Sequence, residues 1–280
     1  MIGIIGSGTM GRGIAISAAT GGYDVSLYDI DQQALDAAQQ AIEKSVAKGV
    51  EKGKIPAEEQ PKILARIRTT MSLDDLGAGE LIVEAVPESM DLKKKIFGQL
   101  SGICSKDAIL ASNTSSLSIT SISAVVDNPG RVVGMHFFNP ANIMKLVEVI
   151  AGRFTSEETV ANVCEIAEKM GKTPARVKDT PGFIVNRVAR SFYTESLRIL
   201  EEGVADEAAI DRVMQAHGFR MGPFTLMDLI GNDVNVEVTR SLYEAYHGEA
   251  RYRPSHIQEA LVDAGMLGKK SGRGFYNYES

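Results

Sequence analysis

Hydrophobic positions in the first 180 residues follow two alternating patterns. Short apolar runs occupy residues 2–5, 23–30, 81–86, 108–111, 132–135 and 146–150. Runs of this length that are rich in Val, Ile and Leu are typical of strands buried on both faces. Helical periodicity lies between them, at residues 11–20, 92–103 and 157–170. Strands that alternate with helices predict an α/β fold with a doubly wound, mostly parallel sheet.

One insertion interrupts this alternation. Residues 34–54 carry an apolar stripe at helical spacing, and a second helical stretch continues after Pro56 through Arg66. We therefore expect a helical excursion at about residues 34–66 within the first domain.

The pattern changes after the Lys-Asp-Thr-Pro-Gly segment at residues 178–182. Strand-like runs nearly vanish, and helical patterns follow at residues 184–203, 207–217, 223–230, 234–246 and 255–264. This predicts one domain at residues 1–180 and an all-helical C-terminal domain at residues 181–280. Several of its helices have apolar faces of the kind that a second subunit commonly buries. We expect this domain to serve substrate binding and homodimer formation.

Composition narrows the class of protein. The 280 residues carry a formal net charge of −6, with hydrophobic residues at 44%. A net negative charge argues against nucleic-acid and anionic-membrane partners, and no run approaches the roughly 18 apolar residues of a membrane helix. The two cysteines, Cys104 and Cys164, have no metal-knuckle spacing, so we expect no metal and reduced thiols. The N-terminal apolar run is too short for a signal peptide, which favours the cytoplasm.

A glycine-rich turn follows the first predicted strand. Its sequence, Gly6-Ser7-Gly8-Thr9-Met10-Gly11, fits G-x-G-x-x-G, opens a helix and is followed about 20 residues later by Asp29 at the end of the second apolar run. The first glycine permits the tight turn, the second admits a pyrophosphate and the third allows close packing. Asp29 can accept hydrogen bonds from a ribose and repels a 2′-phosphate. The pattern predicts a Rossmann-like domain that binds NAD in preference to NADP, with these seven residues in contact with the cofactor.

A histidine and a glutamate flank a later proline-containing turn. His136 precedes Phe-Phe-Asn-Pro, and Glu148 lies twelve residues further on in the next apolar run. Two strand ends joined by such a turn can bring the imidazole and the carboxylate together. The pair is either catalytic or a buried structural contact, and the two residues alone leave both readings open.

Together with this block, motifs along the whole chain resemble the short-chain L-3-hydroxyacyl-CoA dehydrogenase family, most of all its bacterial 3-hydroxybutyryl-CoA dehydrogenases. The matching segments are the glycine turn, residues 84–88, 112–117, the His136 block with residues 144–149, residues 179–187, Gly222-Pro223 with Asp228 and Gly231, and the tail at residues 268–278. The resemblance implies an NAD-dependent oxidoreductase that interconverts a 3-hydroxyacyl-CoA and a 3-oxoacyl-CoA.

The resemblance also implies roles for four residues. His136 is the general base that takes the hydroxyl proton and returns it in the reverse direction, and Glu148 orients and stabilises its imidazole. Ser115 and Asn186 hydrogen-bond the substrate near the reacting oxygen. The structural alternatives are that Ser115 caps a helix at residues 117–124 and that Asn186 caps or bridges within its own helix.

Further resemblance concerns the cofactor and coenzyme A. Glu88 and Lys93 match positions near the nicotinamide ribose, and Asn113 matches one near the nicotinamide. Glu88 and Lys93 could instead be a solvated pair at a helix start. Coenzyme A phosphates need cations, and the candidates are Lys48, Lys52 and Lys54 on the helical excursion. Because Glu43 and Glu51 interleave with these lysines, a plain solvated face is the alternative.

One departure from the family pattern and two arginines leave the identity of the acyl group undetermined. Asn142 stands where the family pattern leads us to expect a proline, so we expect a more mobile loop and an altered acyl preference. Arg190 or Arg220 could accept a second carboxylate, as in 3-hydroxyadipyl-CoA, or could pair with Glu195, Glu201 or Asp228. The competing functions are therefore a dehydrogenase of a dicarboxylic acyl-CoA, one of a free hydroxy acid such as gulonate, and a non-catalytic NAD-binding protein.

Overall fold

A computed structural model describes residues 1–278. The contacts divide the chain into two compact units, one of Met1–Thr180 and one from Pro181 onward. Each is described by itself below. Within the described residues, no helix combines the length and the hydropathy needed to cross a bilayer.

The first unit contains one eight-stranded sheet in the order β3-β2-β1-β4-β5-β6-β7-β8. All neighbouring strands are parallel except β6 and β7, which are antiparallel. The predicted doubly wound, mostly parallel sheet is therefore confirmed. The strands are β1 (Ile2–Ile5), β2 (Val25–Tyr28), β3 (Ile67–Thr70), β4 (Leu81–Glu84), β5 (Ile109–Ser112), β6 (Val132–Phe137), β7 (Leu146–Ala151) and β8 (Thr173–Lys178).

The sequence pattern missed the two edge strands, β3 and β8. β3 has no fully buried residue, and β8 buries only Val177 and contains Pro174. An edge strand pairs on one side and needs no continuous apolar run, and it tolerates a proline that a central strand does not. The hydrophobic signal that identified the central strands is therefore absent at both edges.

Six α-helices accompany the strands of the first unit. They are α1 (Thr9–Thr20), α2 (Gln32–Glu51), α3 (Gln60–Ala65), α4 (Met90–Ile103), α5 (Ile119–Ser123) and α6 (Glu157–Lys169). The expected helical excursion is present, but α2 begins at Gln32 because the Asp31 side chain caps it by accepting from Gln33 N–H at 2.9 Å. The predicted second helical stretch is a single 3₁₀ turn at Ala57–Glu59 followed by the short α3.

The core of the first unit lies on both faces of the sheet. β1, β4, β5 and β6 are buried along their whole length, as expected for parallel strands covered by helices on each side. α1 packs on this core through Ile14, Ala15 and Ala18, each with no exposed surface. Small residues on α1 let its first turn approach the carboxyl end of β1, where the glycine turn lies.

The second unit is helical, as predicted. Its helices are α7 (Val185–Glu201), α8 (Glu207–Ala216), α9 (Pro223–Ile230), α10 (Asn232–Ala245) and α11 (His256–Asp263). Among its described residues, β structure is limited to two isolated bridges at Gly268–Arg273 and Arg273–Asn277. The core contains Tyr193, Leu197, Ile210, Phe224 and Met227.

The described end of the chain is tied to this helical core by two buried carboxylates. Asp228 accepts the backbone N–H groups of Phe275 and Tyr276 and the Tyr278 hydroxyl, each at 3.0 Å. Asp211 accepts the Tyr276 hydroxyl at 2.9 Å. Burial and these two carboxylates raise the pKa of both tyrosine hydroxyls. Asp228 also accepts from the Asn232 side-chain amide at 2.8 Å, so its two oxygens receive four hydrogen bonds and have no capacity left for a substrate group.

Candidate active site

The glycine turn connects β1 to α1 with little space for side chains. Gly6 has φ +98°, and a Cβ there would lie 2.7 Å from the Ala85 carbonyl oxygen. A Cβ on Gly11 would lie 1.8 Å from the Gly6 carbonyl oxygen, whereas one on Gly8 would meet nothing within 4 Å. The turn thus requires glycine at Gly6 and Gly11 for its own packing, and Gly8 borders open space.

The N-terminus of α1 offers its backbone N–H groups to an anion. Gly8 is the N-cap, no side chain caps the helix and its first turn has no acidic residue. Unpaired N–H groups and the helix dipole together favour a phosphate at this position. Because β1 and β4 are neighbours and the chain continues from β1 toward β2 and from β4 toward β5, the turn lies at the switch point of the sheet. The residues present therefore fit a dinucleotide pyrophosphate.

Asp29 lies at the carboxyl end of β2, beside this turn. Its Oδ2 accepts from Ser7 N–H at 2.8 Å and from the Ser7 hydroxyl at 2.7 Å. Burial acts to raise the pKa of Asp29, but the Ser7 and Asp31 hydrogen bonds outweigh it and leave the pKa below its usual value. The carboxylate is charged at neutral pH, which suits ribose hydroxyls and opposes a 2′-phosphate.

A buried ion pair lies under the turn after β4. Lys93 and Glu84 are 1% and 0% exposed, with Nζ 2.7 Å from Glu84 Oε1. Glu84 also accepts from the Ser112 hydroxyl and Val86 N–H, each at 2.7 Å. Sequence reasoning gave Glu84 no role, although a glutamate at the end of an apolar strand run was the available signal. Burial of Lys93 excludes the solvated-pair alternative, and a direct cofactor contact by Lys93 stays a prediction.

The Glu88 carboxylate accepts several hydrogen bonds from the loop that contains Ser115. Its Oε1 accepts from the Thr114 hydroxyl at 2.5 Å and from Ser115 N–H at 3.0 Å, while Oε2 lies 3.3 Å from Lys93 Nζ. Burial acts to raise the pKa of Glu88, but the Lys93 charge and these hydrogen bonds lower it overall. Helix α5 begins at Ile119 and its N-cap is Ser118, so Ser115 is not a helix cap. Glu88 therefore fixes Ser115 at the carboxyl end of β5.

His136 and Glu148 form a buried pair across β6 and β7. The two are direct register partners, and His136 Nδ1 lies 2.8 Å from Glu148 Oε2. They are 6% and 1% exposed, and the Phe138 ring packs on the imidazole with centroids 4.5 Å apart. A carboxylate accepts from the protonated Nδ1, so Nε2 is the nitrogen that carries the lone pair in the neutral ring. The geometry suits proton transfer at Nε2.

Asn113 links this pair to the end of β5. The Asn113 side-chain Oδ1 accepts from the backbone N–H of Phe137, next to His136, at 2.9 Å. The Asn113 backbone N–H donates to the Glu84 carbonyl oxygen at 2.8 Å. The first unit therefore brings the glycine turn, Glu88, Ser115, Asn113 and His136 to the carboxyl ends of neighbouring strands. That edge is where open α/β sheets bind their ligands.

The three lysines of the excursion lie at the end of α2. Lys48 is in its last turn, Lys52 is its C-cap and Lys54 follows, and all three are exposed. Within residues 1–278, none of them forms a salt bridge with a carboxylate such as Glu43 or Glu51. Their cations are available to an anion.

The second unit contains the remaining candidates. Asn186 is the second residue of α7, whose N-cap is Ile184, and its contact with the substrate stays a prediction. Arg190 is 4% exposed and donates to the Asn235 carbonyl oxygen at 2.8 Å and the Thr239 hydroxyl at 2.9 Å. Burial lowers its pKa to about 10. Because its guanidinium is enclosed by these groups, Arg190 is not a receptor for a substrate carboxylate. Among the described residues it also forms no salt bridge with the alternative partners Glu195, Glu201 or Asp228.

A glycine turn on a doubly wound sheet, joined by a buried His–Glu pair at the same edge, defines an NAD-dependent dehydrogenase. The chain belongs to the 3-hydroxyacyl-CoA dehydrogenase family. The family's NAD-binding domain matches residues 1–180, and its C-terminal domain matches residues 182–278.

Individual relatives agree with this family. The chain is 47% identical to the 3-hydroxyadipyl-CoA dehydrogenase of Escherichia coli over all of this chain and 59% of that protein. It is 45% identical to the probable 3-hydroxybutyryl-CoA dehydrogenase of Bacillus subtilis over 99% of this chain and 96% of the relative. A crystal structure of (S)-3-hydroxybutyryl-CoA dehydrogenase from Ralstonia eutropha superposes with a TM-score of 0.95 at 40% identity, covering 100% of this chain and 99% of that one.

Proposed function

We propose that this dehydrogenase interconverts (S)-3-hydroxybutyryl-CoA and acetoacetyl-CoA with NAD. The observation that carries the proposal is the buried His136–Glu148 pair beside a turn built for a dinucleotide. Relatives that match this chain nearly end to end are named for 3-hydroxybutyryl-CoA. Bound NAD supplies the hydride acceptor at C4 of its nicotinamide.

Residues of this chain transfer the proton of the substrate hydroxyl. In the oxidative direction His136 Nε2 takes the proton of the substrate 3-hydroxyl as hydride leaves the same carbon, and in reduction the imidazolium returns it. The Glu148 carboxylate holds Nδ1–H and stabilises the imidazolium. Ser115, fixed by Glu88, donates a hydrogen bond to the substrate oxygen and stabilises its developing charge. For Asn186 of the second unit, the support for such a role is the family resemblance alone. The low exposure of His136 keeps water away from the transfer.

Coenzyme A phosphates would be held by Lys48, Lys52 and Lys54. The support is their exposure, their clustering at the end of α2 and the absence of carboxylate partners within the described residues. Replacing the three with glutamate is expected to raise KM for the thioester several-fold without changing NADH binding. Unchanged KM would assign these lysines to a plain solvated face.

The second unit is the proposed substrate and dimerisation domain, complementing an NAD-binding domain at residues 1–180. Large apolar side chains of this unit are exposed in the single chain, among them Val188 at 66% on α7, Val213 at 66% on α8 and Val204 at 70% between these two helices. A homodimer would cover such residues. Cytoplasmic location is supported by Cys104 and Cys164, which are both free and buried. Sedimentation velocity tests the dimer.

The first measurement compares NADH oxidation with acetoacetyl-CoA, with acetoacetate and with 3-oxoadipyl-CoA, using NADPH as the cofactor control. Rapid turnover confined to acetoacetyl-CoA and NADH supports the proposal. Preference for 3-oxoadipyl-CoA would move the substrate to the dicarboxylic class. Turnover of a free acid without coenzyme A would indicate a gulonate-type enzyme, and no turnover with any substrate would indicate a non-catalytic NAD-binding protein.

A further inference from the structure

The connection between the strands of the catalytic pair is held from three sides. We call residues 138–145, which join β6 to β7, the 138–145 loop. His136 lies two residues before the loop and Glu148 three residues after it. Asn142, expected to loosen the loop, instead donates to the Ser45 hydroxyl of α2 at 3.1 Å. The loop also contacts α1 and the side chain of Lys172.

Lys172 precedes β8 and is only 8% exposed. Its ammonium donates to the Ala141 carbonyl oxygen at 2.5 Å and to the Met144 carbonyl oxygen at 3.1 Å, so one cation ties together both halves of the loop. Within the described residues no carboxylate forms a salt bridge with it, and burial lowers the pKa of Lys172 to about 8. Burying a cation without a counter-charge is unfavourable, and an apolar side chain would fill the same space without that cost. The role of the Lys172 ammonium is therefore to donate to the Ala141 and Met144 carbonyl oxygens.

The 138–145 loop packs on α1, the helix that follows the glycine turn. Ala141 is 1% exposed, and a Cβ on Gly13 of α1 would lie 2.9 Å from the Ala141 Cβ. The Ser17 hydroxyl, one turn further along α1, reaches the Ala141 carbonyl oxygen at 3.2 Å. Ala141 therefore receives Lys172 from one side and α1 from the other.

We propose that Lys172 is a positioning residue, which pins the 138–145 loop against α1 and thereby fixes His136 relative to the dinucleotide bound at the start of that helix. The inference rests on the proposed function of His136 as the proton-transferring group. Catalysis requires reacting atoms at about 3–3.5 Å, and a misplacement of about 1 Å can cost roughly 100-fold in rate. Lys172 meets this requirement because it holds the loop next to His136 against the helix that follows the dinucleotide turn.

The test compares Lys172→Met with Lys169→Met, an exposed lysine at the end of α6, in the full-length protein. We expect Lys172→Met to lower kcat by about tenfold or more, to leave the NADH dissociation constant within about twofold, and to raise the primary isotope effect with NADH deuterated at the transferred C4 position. Poorly placed His136 makes the transfer itself rate-limiting, whereas a loss of stability alone does not. Lys172→Arg, which keeps a donating cation, is expected to recover part of kcat, and Lys169→Met to match the wild type.

An unchanged kcat and isotope effect in Lys172→Met, measured well below its melting temperature, would overturn the inference. If Lys172→Met does not fold, Ser17→Ala removes the other side-chain donor to Ala141 and is expected to raise the isotope effect by a smaller amount; an unchanged value there has the same meaning. Failure of the proposed function looks different, because His136→Ala would then retain normal turnover of acetoacetyl-CoA. If Lys172→Met is active and His136→Ala is inactive, the positioning role of Lys172 is rejected and the proposed function of His136 stands.

Discussion

His136 and Glu148 occupy directly opposed positions on the antiparallel β6 and β7, with Nδ1 2.8 Å from Oε2. The sheet itself sets this distance, because both residues lie within strands that pair on both sides. An imidazole oriented by the backbone register needs no rearrangement when it takes up a proton. That preorganisation is the physical basis of the proposed proton transfer.

Replacement of His136 by alanine is expected to remove the proton acceptor and lower kcat by about two to four orders of magnitude. The NADH dissociation constant, measured by fluorescence titration, should remain near that of the wild type. His247→Asn is the matched control, since His247 is exposed and its φ of +54° is one that asparagine tolerates. Near-normal turnover in His136→Ala would reject the assigned role.

Glu148→Gln tests the carboxylate separately from the shape of the pair. The glutamine amide can donate to Nδ1, which places the ring proton on Nε2 and removes the proton-accepting lone pair. We expect kcat to fall on the order of 10⁴-fold, as when another carboxylate behind a catalytic histidine is neutralised. Stopped-flow turnover measures the loss, and circular dichroism checks the fold. A variant as active as the wild type would assign Glu148 a packing role only.

Asp29→Ala is expected to weaken NADH binding and to reduce the preference for NADH over NADPH, because it removes a ribose acceptor and a repulsive charge. The ratio of kcat/KM values for the two cofactors measures the preference. Ser7→Ala is the control for the turn, since it removes one hydrogen bond to Asp29 and keeps the carboxylate. An unaltered ratio in Asp29→Ala would place cofactor discrimination in other residues.

Glu88 is expected to make stability depend on pH in the acid range. Lys93 and the Thr114 and Ser115 hydrogen bonds overcome the effect of burial and hold the pKa of Glu88 below its usual 4.5 in the folded state. The unfolded chain therefore binds the proton at higher pH. The stabilisation is present above about pH 4.5 and is lost as pH falls through the folded pKa.

Urea unfolding at about pH 7 and about pH 3.5 measures this dependence. The free energy of unfolding should change less between the two pH values in Glu88→Gln than in the wild type. Glu43→Gln, an exposed position on α2, serves as the control and should follow the wild type. An equal change in Glu88→Gln would show that the Glu88 carboxylate does not contribute.

Gly13→Ala tests the contact between α1 and the 138–145 loop. The added methyl would lie 2.9 Å from Ala141 Cβ and 3.2 Å from Ala141 N, so the loop must shift. We expect a loss of about 1–3 kcal/mol in the free energy of unfolding, together with a lower kcat. Gly98→Ala on α4 is the contrast, because its Cβ meets nothing within 4 Å, and helix propensity should stabilise it by about 1 kcal/mol. Thermal and urea unfolding measure both, and a stabilised Gly13→Ala would contradict the described contact.

The central strands were predictable because burial on both faces leaves a continuous apolar run in the sequence. Ile2–Ile5, Leu81–Glu84 and Val132–Phe137 are such strands. The edge strand Thr173–Lys178 buries one residue and left no such signal. Its place beside β7 is decided by pairing between segments far apart in sequence, which local periodicity does not encode.

The sequence by itself determined the doubly wound sheet, the glycine turn with Asp29 and the candidate His136–Glu148 pair, because each depends on residue types at short, regular spacings. Only the tertiary structure decided what surrounds each charged side chain. Lys93 became half of a buried pair with Glu84, Arg190 was enclosed by Asn235 and Thr239, and Lys172 was directed to the loop beside His136. Burial of a charge depends on which distant segments meet around it, and that is settled when the strands and helices pack.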